Sequence, residues 1–321
     1  MITVDEALER VAEHASALPP SSCDTADACG LVLAESIVSD SDSPPFDKSM
    51  VDGFAIHLDD DSERLRIAEV VTAGCVAAQA VVRGVTIHVM TGAPTPPGTD
   101  AVVKWEDCER LDDQTIRNPR AQVSAGYCVL TQGTSYRAGD VLMESGKRLG
   151  PLDLGLLAEL GKPEIRAFPR PTVGVLATGD ELVGSGDPLV AGRIRNSNGP
   201  MLLAAAASAD CTAVDLGASR DDAEDLKNRI ARGLGNDVLL VCGGVSAGIK
   251  DFVPGVLSEL GVSRVFHKVE MKPGKPLWFG YRESSDRRTL VFGLPGNPVS
   301  AYVAFYLFAA PALVALSGGR F

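Results

Sequence analysis

No two cysteines in this chain are spaced as C-x-x-C. The seven present (Cys23, Cys29, Cys75, Cys108, Cys128, Cys211 and Cys242) are scattered along its length, and the four histidines lie far apart. That pattern argues against a zinc site or a disulfide framework. Clustered Lys and Arg are also missing: 30 basic residues face 42 acidic ones, for a formal charge of −12. A groove that neutralises a nucleic-acid backbone needs a basic stripe, so nucleic acid is not expected as a partner. A small anion is not excluded, because a local pocket can be positive inside an acidic shell. The opening MITVDEALER lacks the character of a signal peptide, which leaves the cytoplasm as the expected location. One apolar run, Val299 to Leu316, is long enough to span a bilayer. It holds Ser300 and Pro311, lacks a basic flank on its N-terminal side and follows a Pro-Gly-Asn-Pro turn, so a buried packing helix is expected and no membrane span.

What is there suffices for more than one core: 321 residues, 45% of them hydrophobic, allow two or three domains. Thr3 and Glu6 have the spacing of a capping box, and the apolar positions that follow predict an amphipathic helix over 3–17. The tract SDSDSPPFDKSMVDGFA reads as a loop leading into a new unit. RIAEVV, GVTIHVM, DAVVKWEDC and AGYCVLT, separated by Gly, Pro and Asp, predict a small all-β unit. Residues 137–164 mix strand-like and helical pieces expected to return to the N-terminal helix region. The expected division is therefore a discontinuous first domain, 1–45 and 132–168, with a β-rich insertion at 46–131.

Pro169 to Pro171 marks the next boundary. Over 169–321 strands alternate with helices, which predicts an α/β domain with a mostly parallel sheet and helices on both faces. Ligands of such sheets bind outside the carboxyl ends of the strands. Three turns there are chemically loaded. Cys242-Gly-Gly-Val-Ser-Ala-Gly248 follows an apolar strand and has the small residues that let backbone N–H groups approach an anion. A tight turn alone would also need glycine. Met271-Lys-Pro-Gly-Lys-Pro276 carries Lys272 and Lys275, point charges for a phosphate or another oxyanion, although a solvated turn would carry lysines too. In Leu294-Pro-Gly-Asn-Pro298, Asn297 fits an N-cap and Pro298 the first helical position. Asp180 and Glu181 follow the first strand, Asp221 and Asp222 start one helix, and Asp251 opens another. Acids beside phosphates suggest a divalent cation, most often Mg2+, while acids at helix starts also suit the macrodipole.

TGDEL, SNGPML, GGVSAGIKDFV, MKPGKP and LPGNPVSAY, in this order, resemble the molybdopterin molybdenumtransferase family (MoeA and the E domain of gephyrin). DKSMVDGFA and VMTGAPTPPGTDAVVKWED resemble its upstream signatures, so the likeness covers nearly the whole chain. The resemblance implies an elongated homodimer that converts adenylylated molybdopterin and molybdate, with a divalent cation, into molybdenum cofactor and AMP. It implies molybdopterin contacts at Thr178, Gly179, Ser197, Asn198, Gly243, Gly244, Val245, Ser246, Gly248, Pro273, Gly274, Pro295, Gly296, Asn297 and Pro298. Backbone N–H groups at Gly243, Gly244 and Ser246 would hold phosphate. Lys272 and Lys275 would offset oxyanion charge, and Asp52 and Asp251 complete the expected catalytic set. Glu181, Asp221, Asp222 and Asp251 would serve the metal.

The chain departs from the family pattern in four places. Gly133-Thr134-Ser135 stands where Gly-Glu-Asp is common, Asn196 where an Asp is usual, and Ile249-Lys250 where an acid is usual. The family's small C-terminal β domain is expected to be absent. Three lost acids should weaken metal binding more than anion binding. Beside the transferase stands a second reading, a catalytically degenerate, gephyrin-like scaffold dimer for protein partners, and a third, a generic nucleotide-phosphate binder.

Overall fold

The structure is a computed structural model that describes residues 1–220, 222–245, 252–285 and 287–321. Asp221, Ser246, Gly248, Ile249 and Asp251, named above, lie outside the described residues. Contacts divide the chain into two units, Met1–Glu35 with Glu144–Phe321, and Ser36–Met143.

The first unit is built on a six-stranded sheet, ordered Thr212–Ser219, Thr172–Thr178, Val238–Cys242, Arg288–Leu294, Trp278–Glu283 and Ser263–His267. The first four strands pair in parallel and the last two antiparallel. Two-residue alternation explains why both faces are covered. Val238, Leu240 and Cys242 point into one core, with Val173, Val175, Leu290 and Phe292. Leu239 and Val241 point into the other, with Leu176, Val291 and Trp278. Helices Ala223–Gly233 and Val253–Glu259 close the second face through Leu226, Ile230, Val256 and Leu257. Each of these aliphatic side chains is removed from water, a gain of roughly 1.5–3 kcal/mol apiece.

The N-terminal helix is Val4–Ala12, and both bonds of its capping box are made: Glu6 N–H to Thr3 Oγ1 at 3.2 Å and Thr3 N–H to Glu6 Oε2 at 2.9 Å. It is shorter than the expected 3–17, and a turn carries the chain on so that Ala15 still reaches the core. Ala7 and Val11 pack into the α/β core, while strand Glu164–Phe168 returns to pair with Ser21–Asp24 and Val32–Leu33. An apolar helical stripe states how much surface must be buried but not against which element.

Pro298–Leu316 is apolar and long enough to cross a membrane, with 56% of it buried inside the fold. Phe305, Phe308, Ala312 and Leu313 pack into the first core. A π-turn at Phe305–Ala309 interrupts it just before Pro311, whose ring nitrogen has no hydrogen to donate.

The second unit contains a five-stranded sheet ordered Ala101–Lys104, Gly53–Ile56, Val85–Val89, Arg64–Val71 and Thr115–Arg117, the β-rich unit expected from the short apolar stretches. Gly53 is required there because any side chain would run into the Val103 carbonyl oxygen.

Candidate active site

Three parallel strands end at Thr178, Cys242 and Leu294, and the loops that follow enclose a cavity of about 440 Å3. That volume suits a small organic ligand. Thr178, Gly179, Glu181, Ser197, Asn198, Gly243, Gly244, Val245, Pro295, Gly296, Asn297 and Pro298 all line it. The lysine hairpin joins Ser263–His267 to Trp278–Glu283. Because these strands run antiparallel, the hairpin falls on the same rim, and its Pro276 lines the cavity. Lys272, Pro273, Gly274 and Lys275 are not part of the wall; the two lysines are exposed.

Glycine is demanded where the loops meet. Gly243 and Gly244 sit at φ +99° and +64°, and a side chain on Gly243 would stand 2.5 Å from the Thr178 carbonyl oxygen. The Gly243 N–H is already given to Leu294 O at 3.0 Å. It therefore joins two strand ends and is already engaged, where the sequence leads us to expect it to hold phosphate. Val245 anchors the turn: its side chain is 2% exposed in the second core, and its carbonyl accepts from His267 Nε2 at 3.0 Å.

Polar groups tie the other loops together. Asn198 Nδ2 donates to Gly296 O at 2.7 Å, and the Cys242 thiol donates to Pro295 O at 3.2 Å. Burial pushes the Cys242 thiol up to about 12, opposed by the nearby Asn198 amide, so at neutral pH it is a buried donor and not a nucleophile. Asn297 Oδ1 accepts from Ser300 N–H at 3.2 Å, making the expected N-cap ahead of Pro298. Asn196 Oδ1 accepts from Gly199 N–H at 3.0 Å, a role that an aspartate at that position would fill equally. Two oxygens at the cavity stay unmatched: Thr178 Oγ1 and Asn198 Oδ1 are buried with no hydrogen-bond partner among the described residues. Leaving such atoms unpaired costs about 1–3 kcal/mol each, a debt that a ligand carrying N–H groups would remove.

Charge at the site is mixed. Glu181 is a carboxylate on the wall, and Arg195, which the motif reading overlooked, is a cation there. Its signal was the basic tract R-I-R-N-S-N. Asp222 instead caps helix Ala223–Gly233, accepting from Glu224 and Asp225 N–H at 3.1 and 2.8 Å, and lies outside the wall. Among the described residues no three His, Cys, Asp or Glu side chains gather as a metal cage. Asp52 belongs to the second unit, where its exposed carboxylate accepts from Thr91 N–H at 2.7 Å and Thr91 Oγ1 at 2.8 Å. These bonds, the backbone one first, hold it below the usual carboxylate range.

Residues 2–161 match the MoeA N-terminal region, domains I and II, and residues 174–315 match a probable molybdopterin-binding domain. Molybdopterin molybdenumtransferase of Haemophilus influenzae is 36% identical over 327 residues, covering 100% of this chain and 79% of the relative. The enzyme of that name from Bacillus subtilis is 33% identical over 320 residues, covering 97% and 74%. A crystal structure of the molybdopterin biosynthesis MoeA protein from Pyrococcus horikoshii superposes with a TM-score of 0.84 at 31% identity, covering 100% of this chain and 81% of that one. With both regions matched in order and the whole chain aligned, this protein belongs to the molybdopterin molybdenumtransferase (MoeA) family.

Proposed function

We propose that this chain is a transferase of molybdenum-cofactor biosynthesis that inserts molybdate into adenylylated molybdopterin and releases AMP. The observation that carries the reading is the cavity: the family's glycine turn, TGDEL turn, SNGPML helix start and LPGNP cap converge on it, and it offers unmatched polar oxygens. Thr178 Oγ1 and Asn198 Oδ1 suit the N–H edge of a pterin. Splitting a phosphoanhydride and delivering an oxyanion both concentrate negative charge, which Arg195 at the wall and Lys272 and Lys275 beside it would offset. Magnesium fits a modest donor set, since it is commonly held by one or two carboxylates plus substrate phosphates. Glu181 would hold it here, and the ion would supply charge neutralisation at the phosphates. We further propose a homodimer, in which Asp52 of the partner subunit serves the cleft; its exposure and stable ionisation support that role. The names of the relatives favour the transferase over the scaffold reading.

The test is AMP release by the purified chain given adenylylated molybdopterin, molybdate and magnesium. Turnover supports the assignment. Molybdopterin binding without turnover restricts it to a degenerate binder, and absence of both overturns it. The paired change Ser135→Asp with Asn196→Asp shows whether the lost acids limit the rate.

A further inference from the structure

A second cavity, of about 650 Å3, lies at the opposite rim of the six-stranded sheet. Thr172 opens its strand, Asp237 directly precedes Val238, and Leu290 lies near the start of Arg288–Leu294, and all three are in its wall. The seven-residue strand Thr172–Thr178 separates the two rims by about 20 Å at roughly 3.3 Å per residue.

In a chain of net charge −12, three arginines line this cavity: Arg170, Arg287 and Arg288. Arg288 is neutralised by Glu283, with Nε to Oε1 at 3.0 Å. The other two guanidiniums meet backbone carbonyls instead: Arg170 donates to Cys29 O at 2.6 Å and Arg287 to Gly235 O. Neither has an ion pair among the described residues. Asp237, the carboxylate of the wall among the described residues, turns Oδ2 to the Thr172 N–H at 2.8 Å and to the Thr172 hydroxyl at 2.7 Å. Tethering loops would explain one bond per arginine. Each guanidinium carries five donors, so most remain to face an acceptor. A neighbouring hollow of about 270 Å3 shares Arg287 and adds Arg282, which extends the positive field. The wall also carries His14, Ser16 and Ser21, and its apolar part includes Leu18, Pro19 and Leu316.

Cationic forks beside an apolar surface match one ligand chemistry. We propose that this cavity binds a phosphorylated small molecule, with its phosphate on Arg170 and Arg287 and its organic part against Leu18, Pro19 and Leu316. The site is separate from the molybdopterin cavity and does not depend on the transferase reading.

Phenyl phosphate and inorganic phosphate are the probes, titrated calorimetrically into the full chain at constant ionic strength. Phenyl phosphate should bind roughly tenfold more tightly than inorganic phosphate, as expected when a ring adds apolar burial. The pair Arg170→Gln and Arg287→Gln should weaken it by at least about tenfold, the scale of losing charge-assisted bonds. The pair Lys272→Gln and Lys275→Gln, at the other rim, should leave it unchanged. Should the arginine variant fail to fold, the wild type answers alone: phenyl phosphate must shift the Nε–H resonances of Arg170 and Arg287. No binding, equal affinity in the arginine variant, or shifts confined to the Gly243–Val245 turn would each overturn the proposal.

Discussion

The side-chain amide of Asn198 reaches the carbonyl oxygen of Gly296 across 98 residues of sequence, at 2.7 Å. The bond fastens the helix start that follows TGDEL to the loop that precedes the last helix, while Asn198 Oδ1 is buried with no partner among the described residues. Asn198→Ala should therefore do two things: cost about 1–2 kcal/mol of stability by orphaning an acceptor, and weaken molybdopterin binding roughly tenfold. Urea denaturation reads the first and ligand titration the second. Full-strength binding in a destabilised variant would remove Asn198 from the site.

Gly243 and Gly296 both line the cavity but differ in tolerance. A side chain on Gly243 would collide with Thr178 O at 2.5 Å from a backbone at φ +99°, whereas one on Gly296 would find its nearest neighbour at 3.8 Å. Gly243→Ala should lose about 1–3 kcal/mol, the range for a strained backbone; Gly296→Ala should be within about 0.5 kcal/mol of the parent. Comparison of the two denaturation midpoints decides it.

Among the described residues, Arg195 is the cation that lines the site. Arg195→Ala should raise KM for adenylylated molybdopterin roughly tenfold, and the penalty should shrink as salt is added, because an exposed charge is screened. A penalty indifferent to salt would mean that Arg195 acts by packing.

Asp52 titrates low because the Thr91 backbone N–H, and second its hydroxyl, bond the carboxylate. Thr91→Val keeps the larger cause and removes the smaller, so the Asp52 pKa should rise only part of the way to the ordinary value of about 3.9. Carboxyl-carbon NMR titration measures this. A depressed folded value favours the folded state above the ordinary carboxylate range, and the benefit fades as pH falls through the lowered value.

Thiol labelling separates the cysteines. Burial lifts Cys242 and Cys108 to about 12, while Cys29 and Cys75 are exposed. Iodoacetamide at about pH 8 should alkylate the exposed pair within minutes and leave Cys242 and Cys108 unmodified in the folded protein; mass spectrometry of the peptides would show it. Early modification of Cys242 would contradict its buried placement.

Local chemistry was legible before the fold was known. The Thr3–Glu6 capping box and the Asn297 cap with Pro298 depend on neighbours three residues away, so spacing alone specifies them. Alternating apolar strands and amphipathic helices specify a two-sided sheet by the same logic, and the glycine turns follow from strand ends that must reverse tightly. Tertiary structure alone decided the rest. It set the N-terminal helix against the α/β core, joined Asp52 to Thr91 across 39 residues, spent the Gly243 N–H on Leu294, and put Arg195 in the wall while Lys272 and Lys275 stayed outside it. Periodicity records which side of an element is buried, because burial follows the backbone repeat. Which surfaces meet depends on how separate elements pack, and no repeat within one segment carries that information.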